Sequence, residues 1–416
     1  MPHSESSPLL PRQRRSTRRR STYQNGHSSD VEGLPPRSLG SRFSALVKAE
    51  GEPTYPQSVK FILTNSYLNL LLVFIPLSIA AHHANWDAAL RFSFSFLAIV
   101  PLAKLLGEST EQLSLTVGGT LAGLLNASFG NAVEIIVGIA ALLADELRIV
   151  QTSMLGSILS NILLVLGCSF LAGKNANYCS GSLMTLACIT LIIPAAFYGT
   201  HSANRPEHDL DVISRGTAVV LLLTYVIYIF FQLGSHSHLF EEVHRDDLGN
   251  VIPDDQVVEE PEVPEMNQVT AGIALIIVTV VTAFCADYLV ASIEEFAERY
   301  HVPKTFIGLI LLPIVANAAE HATSVVMAAK NRMELTIGIC IGSSIQIAVF
   351  ALPLMIVIGW ATGHNLTLHF ETFETVVLFS SVLLVNSLLQ DGKTNYMEGL
   401  MLISLYFVIG LAFWVS

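Results

Sequence analysis

The chain has 416 residues, of which 52% are hydrophobic and only 13% are charged, and its mean hydropathy is +0.55. This composition is typical of polytopic membrane proteins, and we expect no nucleic-acid partner. The net charge of −12 says little by itself, because basic and acidic residues are concentrated in separate tails and loops. The five cysteines show neither CxxC nor metal-ligand spacing, so we expect no disulfide framework.

Residues 1–57 are rich in Ser, Pro and Arg, which predicts a disordered basic tail. Six arginines between Arg12 and Arg20 favour a topology signal that keeps the N-terminus in the cytoplasm, with a lipid-binding patch as the alternative. The segment with Glu5, Leu9 and Leu10 fits an acidic dileucine pattern, which makes it a candidate contact for a sorting adaptor.

About eleven apolar runs of spanning length follow the tail. They are continuous rather than alternating, so the sequence predicts an all-α polytopic membrane protein and not a closed barrel. The runs lie near 61–81, 88–106, 116–144, 149–173, 179–199, 213–234, 269–293, 303–330, 335–361, 372–390 and 397–415.

A shift of 186 positions (317 minus 131) aligns two parts of the chain. It places Asn131-Ala-Val-Glu134 on Asn317-Ala-Ala-Glu320, and Gly156-Ser157 on Gly342-Ser343. Most of the matching residues are polar, small or acidic although they lie in apolar runs, which indicates a duplicated membrane unit.

The duplication predicts one extra helix followed by two five-helix repeats. An odd number of spans in each repeat inverts the second copy relative to the first, which is a common plan of carriers that bind cargo near the membrane midplane. The predicted parts are the tail at 1–57, the extra helix at 58–87, the first repeat at 88–234, a loop at 235–266 and the second repeat at 267–416.

The loop at 235–266 is acidic: between Glu241 and Glu265 it holds 10 Asp and Glu residues against the single base Arg245. The basic tail predicts that this loop lies in the cytoplasm. Two interpretations stay open, a solvated linker between the repeats or an electrostatic funnel that concentrates cations. The loop lacks the ligand spacing of an EF-hand.

Glu134 and Glu320 are the acids that the two copies share. A carboxylate at membrane depth is costly unless it is paired, and the matching positions predict that the two acids meet at one central site. Two carboxylates in a medium of low dielectric cannot both stay ionised and unpaired, so either a cation binds them or protons neutralise them. One divalent cation and two protons give the same net charge, and this equivalence is itself an exchange mechanism.

A set of amide and hydroxyl residues could complete the oxygen shell of about six to eight ligands that hard divalent cations prefer. Each alone is more often a contact between helices than a ligand, but the grouping around two acids favours a site. Gly130 and Pro313 would loosen the helices nearby and free backbone carbonyls. The candidate residues are Asn131, Asn317, Ser157, Ser160, Asn161, Ser343 and Gln346.

Other titratable residues are candidates for gating or for relaying ions. Glu108 and Glu111 are expected at the end of the second helix, Glu294 at the end of the seventh, and Asp287 deeper in the seventh, where burial would be costly. His321 follows Glu320 and should point about 100° away around the helix, either to pack against a neighbour or to modulate coupling as a third protonatable group.

Several motifs in order resemble the calcium/proton exchanger family of the cation/calcium antiporter superfamily, most closely its fungal vacuolar members. The resemblance covers about 58–415. It rests on Gly130-Asn-Ala-Val-Glu134, Ala316-Asn-Ala-Ala-Glu-His321, Met154 to Gly167, Ile341 to Gln346, Phe284-Cys-Ala-Asp287 and Lys304-Thr-Phe-Ile-Gly308.

The resemblance implies an eleven-helix, multi-pass protein of the vacuolar membrane that moves Ca²⁺ into the vacuole as protons leave. It implies that Glu134 and Glu320 are the transport-site acids and that the only bound groups are the transported ions, Ca²⁺ and H⁺. It also implies that the acidic loop forms a cytosolic helix, although Pro253, Pro261 and Pro264 argue against one long helix there. Competition by Mn²⁺, the ion stoichiometry and the oligomeric state stay open.

The nearest alternative is a sodium/calcium exchanger. That family typically has an Ala-Pro-Glu element in one repeat and a Thr-Ser-x-Pro-Asp element in the other, whereas this chain has Ala-Val-Glu and Ala-Ala-Glu, which favours protons. A cation channel would need a permanently open path and usually a ring of subunits, so internal repeats in one chain favour a carrier. No nucleotide, nuclease or protease motif is present, and we expect no enzyme activity.

Overall fold

The computed structural model describes residues 53–117, 119–173, 207–235, 264–330, 332–390 and 394–415. Their regular secondary structure is helical, and they all belong to one compact unit, 49–416. The dileucine pattern near the N-terminus, the predicted helix near 179–199 and most of the acidic loop lie outside these residues.

The described helices are numbered here in chain order. They are α1 Tyr55–Thr64, α2 Tyr67–His83, α3 Ala88–Val117, α4 Gly119–Phe129, α5 Ala132–Leu143, α6 Leu147–Ala172, α7 Glu207–Phe230, α8 Gln268–Tyr300, α9 Lys304–Ala316, α10 Ala318–Ala329, α11 Met333–Thr362, α12 Thr372–Leu389 and α13 Tyr396–Val415.

Within the described residues, seven helices are long and apolar enough to cross a membrane, or nine if each of two bent pairs counts as one span. The bent pairs are α1 with α2, at 88°, and α9 with α10, at 57°. The prediction of an all-helical polytopic protein is therefore confirmed in class, while the number eleven stays a prediction.

Two predicted spans are broken. The run near 116–144 forms α4 and α5, which are separated at Gly130 and Asn131, and the run near 303–330 forms α9 and α10, which are separated at Asn317. Gly130 marks the first break as expected. Pro313 lies inside α9, and the backbone N–H of Asn317 closes the last turn of α9 on the Pro313 carbonyl at 2.9 Å.

Proline also explains two irregular turns. The segments Ile307–Leu311 in α9 and Ile347–Ala351 in α11 are π-helical, and Pro313 and Pro353 follow each of them two residues later. A proline lacks the N–H that would bond to the carbonyl four residues earlier, so the preceding turn widens.

Two helices are longer than their apolar runs predict, which corrects the placement of three acids. α3 continues to Val117 and α8 to Tyr300, so Glu108, Glu111 and Glu294 lie inside helices and not at their ends. Oppositely charged side chains one turn apart support the additional turns of α3. Lys104 pairs with Glu108 one turn later at 2.7 Å.

The two ends of the bundle are identified by side-chain contacts. At one end, called the Lys304 end, Lys304 bonds Glu146 at 3.0 Å and Glu294 at 3.2 Å. At the other, called the Gln112 end, the Gln112 side chain accepts the backbone N–H groups of Glu265 and Met266 at 2.8 and 3.2 Å. Helix α3 runs from one end to the other. Its first turns pack on α8 beside Glu294 through stacked rings of Phe92 and Phe296, 4.2 Å apart, and its last turns carry Gln112.

The interior of the bundle is built around α6. In its apolar membrane-spanning stretch, 83% of the residues are buried. Helix α9 approaches α6 closely because glycine lies at the crossing. A Cβ atom on Gly156 would lie 2.2 Å from the carbonyl oxygen of Leu309, so only glycine fits there. Helices α5, α10 and α11 contact α6 near its middle, which is where the polar residues of the interior gather.

Candidate functional site

The site is built on two helix N-termini. Helix α5 begins after Asn131 and carries Glu134 in its first turn, and α10 begins after Asn317 and carries Glu320 in its first turn. The first backbone N–H groups of a helix have no intrahelical acceptor and carry partial positive charge, which favours a carboxylate there. Each helix break therefore supplies a favourable position for one acid inside the bundle.

A chain of hydrogen bonds connects residues from the two parts of the sequence. The Asn131 side-chain NH₂ donates to Gln346 Oε1 at 2.7 Å, and the Ser343 hydroxyl donates to Asn131 Oδ1 at 2.7 Å. The Asn161 NH₂ donates to Ser343 Oγ at 2.9 Å and to Glu320 Oε2 at 3.1 Å. The bonds link α5 and α6 to α10 and α11, so the site is assembled from both halves of the chain.

Two amide oxygens in this network have no hydrogen-bond donor among the described residues: Asn161 Oδ1 and Asn317 Oδ1. Both side chains are fully buried. The NH₂ group of Asn317 is used, because it donates to the Ser157 carbonyl at 3.3 Å. A buried carbonyl without a donor is costly, and a neutral oxygen of this kind is what Ca²⁺ takes as a ligand.

Glu134 borders a small pocket and is itself 5% exposed. In the described part of the chain, no hydrogen bond joins its carboxylate to another side chain, and it interacts electrostatically with Glu320. The pocket is lined by Glu134, Val137, Ser153, Ser157, Leu312 and Ala316.

The nine residues predicted for the transport site occupy this one region, in different ways. Ser157 contributes its backbone carbonyl to Asn317, and the residue also lines the Glu134 pocket. The hydroxyl of Ser160 is hydrogen-bonded to His321 Nε2 at 3.1 Å. His321 therefore packs against α6 beside the hydrogen-bond network and is not a surface residue without contacts.

The predicted gating residues differ in their surroundings. Glu108 is buried, pairs with Lys104 and accepts a hydrogen bond from Asn65. Glu294 is exposed and pairs with Lys304, and Glu111 is also exposed. In the described part of the chain, no hydrogen bond or ion pair joins Glu108 or Glu294 to the two site glutamates.

The burial expected for Asp287 in the seventh helix is not observed, because Asp287 is exposed on the outer face of α8. Its role in gating or relay stays a prediction. Its position in an apolar run does not reveal which face of the helix it occupies. It interacts electrostatically with His82, whose ring stacks on Tyr288 at 4.2 Å.

Sequence reasoning missed four residues that line the pocket: Val137, Ser153, Leu312 and Ala316. Ser153 lies four residues before Ser157 on the same face of α6, and that spacing could have identified it. Val137, Leu312 and Ala316 are apolar residues in apolar helices and carry no such signal.

A protein-family model identifies the chain. The model of the sodium/calcium exchanger protein family matches residues 88–234 and 270–415. The chain belongs to this family. It is therefore a multi-pass secondary transporter and not an enzyme.

Individual relatives are similar over nearly the whole chain. The vacuolar calcium ion transporter of Schizosaccharomyces pombe is 46% identical, covering 85% of this chain and 86% of the relative. The vacuolar cation/proton exchanger 3 of Oryza sativa subsp. japonica is 40% identical, covering 86% and 88%. The solved structure of native YfkE has a TM-score of 0.70 at 30% identity, covering 84% of this chain and all of YfkE. The resemblance to calcium/proton exchangers is thereby confirmed.

Proposed function

We propose that this chain is a secondary active antiporter that exchanges Ca²⁺ for protons at the site of Glu134 and Glu320. One observation carries the proposal: two fully buried amide oxygens, on Asn161 and Asn317, lack donors beside these two acids. A cation satisfies both kinds of group at once, because it ligates neutral oxygens and neutralises the carboxylates.

The names of the relatives support the choice of ions. The fission yeast relative is called a calcium ion transporter, the rice relative a cation/proton exchanger, and YfkE is described as a Ca²⁺/H⁺ antiporter. Both curated relatives are called vacuolar, which supports a vacuolar membrane as the location. Sodium as the counter-ion has less support, although the family as a whole is called sodium/calcium exchangers.

The site residues have distinct roles in the proposed cycle. With Ca²⁺ bound, Glu134 and Glu320 supply negative charge, and Asn161 and Asn317 supply neutral oxygens. Without Ca²⁺, protons on the two glutamates keep the site neutral. The site can therefore change its access from one side of the membrane to the other with either Ca²⁺ or protons bound. The form with both acids ionised and no cation is disfavoured by the low dielectric around it, and this couples the two ions.

Asn131, Ser343 and Gln346 position the acids in this proposal. They hold α5 and α11 together through two bonds of 2.7 Å, with the amide of Asn131 as both donor and acceptor. Ser157 and Ser160 complete the α6 side. His321 is a candidate modulator of coupling, through its bond to Ser160.

We also propose two inverted repeats at 88–234 and 267–416, joined by a cytoplasmic acidic loop and preceded by one extra helix and the tail. The two segments matched by the family model, 88–234 and 270–415, support this division. So does the structure of the two central helices, because the π-helical turn at Ser160–Val165 of α6 shifts by 186 positions onto that at Ile347–Ala351 of α11 within one residue.

The basic tail supports a cytoplasmic N-terminus, which puts the Gln112 end in the cytoplasm and the Lys304 end in the vacuolar lumen. Three further parts of the proposal rest on sequence or chemistry alone. They are Mn²⁺ as a competing cargo of an oxygen-rich site, a sorting adaptor at the segment of Glu5 and Leu10, and relay roles for Glu108, Glu111, Asp287 and Glu294.

The test is Ca²⁺ uptake into proteoliposomes with an acidified lumen and no sodium. We expect uptake that requires the pH gradient and alkalinises the lumen. Glu134→Gln and Glu320→Gln each replace an ionisable ligand by a neutral one of the same shape, so both should abolish exchange while the protein still folds. Glu298→Gln, at an exposed position of α8, is the matched control and should exchange normally.

Other outcomes would change the assignment. Uptake that ignores pH and follows a sodium gradient would make the protein a sodium/calcium exchanger. Uptake that needs only a calcium gradient would indicate a channel. Normal exchange by either glutamine variant would refute the assignment of these acids to the transport site.

A further inference from the structure

Helix α9 lies directly on α6 at the Lys304 end of the site. A Cβ atom on Gly156 would lie 2.2 Å from the Leu309 carbonyl oxygen, and one on Gly308 would lie 1.9 Å from Thr152 Oγ1. Thr152 is only 1% exposed beneath α9. The two glycines therefore permit contact between the helices at the level of the backbone.

The helices that correspond to this pair are apart. The shift of 186 positions places Gly308 and Leu309 of α9 on Ala122 and Gly123 of α4, and it places Thr152 and Gly156 of α6 on Gly338 and Gly342 of α11. No described atom lies within 4 Å of a Cβ atom built on either Gly338 or Gly342, and Gly338 is exposed. Helix α4 rests instead against Leu233, whose side chain covers Gly123.

The gap between α4 and α11 begins at the transport site. There the two chain segments meet, because Asn131 bonds Gln346, and a Cβ atom on Gly130 would lie 3.5 Å from Gln346 Oε1. Beyond this point α4 runs toward α3 and the Gln112 end without packing along α11. Among the described residues, α9 thus covers the site toward the Lys304 end, and no described helix covers the corresponding part of α11 toward the Gln112 end.

In the part of the chain that the structure describes, no close contact requires glycine at positions 338 and 342. Glycine inside a helix is unfavourable, because it loses more conformational freedom on folding than other residues. Where it permits close contact, as at Gly156, that cost has a structural reason. A Cβ atom on Gly338 or Gly342 meets no described atom within 4 Å, so contacts among the described residues do not explain these two glycines.

We propose that Gly338 and Gly342 are the surface onto which α4 closes in the opposite state of the transport cycle. In that state Ala122 lies on Gly338 and Gly123 on Gly342, as Gly308 now lies on Thr152 and Leu309 on Gly156. Each of the four contacts has glycine on at least one side, which permits the close approach. The proposal rests on the antiport function and adds to it the structural element that seals the site from the Gln112 end.

The first test is Gly342→Leu. A leucine side chain fits the open space of the present state, so the protein should fold and bind Ca²⁺ from the Gln112 end. Exchange should fall by about tenfold or more, because overpacking lowers the population of the closed state. Gly272→Leu is the matched control, since a Cβ atom on Gly272 in α8 likewise has no neighbour within 4 Å, and its exchange should be unchanged.

The second test is a disulfide between Ala122→Cys and Gly338→Cys, in a transport-competent background whose five native cysteines are serine. A protease site inserted in the loop at 235–266 separates the two cysteines, so the fragments stay together only if the disulfide forms. We expect cross-linking with oxidant to vary with Ca²⁺ and pH and to block exchange until reduction. The pair Ala122→Cys with Gly272→Cys should not cross-link.

These outcomes separate the proposal from the antiport function. Failure of unmodified protein to exchange Ca²⁺ for protons would refute the function itself. Normal exchange by Gly342→Leu, or no cross-link between positions 122 and 338 under any ionic condition while the background exchanges normally, would refute the closing surface alone.

Discussion

The buried asparagines show how a neutral side chain can serve a charged cargo. Asn161 uses both its donors, on Glu320 and Ser343, which fixes the amide with its oxygen unpaired. A third carboxylate at this position would have to be neutralised in every state. An amide oxygen adds a ligand without adding charge, so the balance between one Ca²⁺ and two protons is kept.

Replacement of Asn161 should therefore weaken Ca²⁺ binding rather than abolish proton coupling. We expect Asn161→Leu to raise the Ca²⁺ concentration for half-maximal uptake by about tenfold, the effect of losing roughly 1.4 kcal/mol of binding free energy. The measurement is uptake as a function of Ca²⁺ at fixed pH gradient. Ser169→Ala is the control, because Ser169 is also a buried polar residue of α6 but does not line the site. An unchanged concentration dependence would contradict a ligand role.

At the scale of single residues, the sequence predicts the positions of some charged side chains correctly and of others wrongly. Glu134 and Glu320 could be found because a charge in an apolar run is conspicuous and the shift of 186 positions repeats it. Asp287 is just as conspicuous, yet it lies on the outer face of α8. Hydropathy along the chain does not encode the direction of a side chain, and only the packing of α8 against α3 determines it.

The presence of the helices could be predicted from the lengths of the apolar runs, whereas the breaks within the helices could be predicted only in part. In the run near 116–144 a few polar residues, Asn126, Asn131 and Glu134 among them, interrupt the apolar sequence, but they are too few to divide it into two helices by hydropathy. Gly130 was still recognisable as a weak point. The break at Asn317 falls one turn after Pro313, because the missing proline N–H is absorbed by the π-helical turn before it.

The same chemical change should have different effects on two corresponding glycines. Gly156→Ala forces a methyl group against the Leu309 carbonyl and should lower the free energy of unfolding by about 1–3 kcal/mol. Gly342→Ala meets no atom within 4 Å and should not lower it. Thermal unfolding of both variants in detergent tests this directly. Equal destabilisation would mean that α4 already packs on α11.

At the scale of the whole molecule, most ion pairs among the described residues lie at the Lys304 end. Several of them join the first part of the chain to the second, as in Asp87 with Arg299 at 2.5 Å and Arg148 with Glu374 at 2.6 Å. The pKa of Asp87 lies below its ordinary value, mainly because the carboxylate accepts the backbone N–H of Ala89, with a smaller contribution from Tyr300. The stabilisation is present above the ordinary carboxyl pKa and is lost only as pH falls through the lowered value. Asp87 therefore stays ionised at mildly acidic pH.

The ion pairs of Lys304 are the ones at this end that should form and break as the transporter changes state. Lys304 begins α9, and it bonds Glu146 before α6 and Glu294 of α8. If α9 leaves α6 when the Lys304 end opens, the bond to Glu146 must break. The Lys304 side chain is 36% exposed, with Glu146 at 21% and Glu294 at 66%. Such pairs contribute only about 0.2–1 kcal/mol each, so Lys304 biases the equilibrium without fixing it.

Lys304→Met should thus favour the opposite state modestly. The measurement is the rate of disulfide formation between Ala122→Cys and Gly338→Cys, which reports how often α4 closes on α11. We expect a rise of about two- to fivefold, within what two partly exposed ion pairs can contribute at 1.4 kcal/mol per factor of ten. Lys330→Met removes an exposed lysine from the end of α10 and should leave the rate unchanged. A slower rate in Lys304→Met would mean that Lys304 stabilises the state open at the Lys304 end, the reverse of the role that its bond to Glu146 indicates.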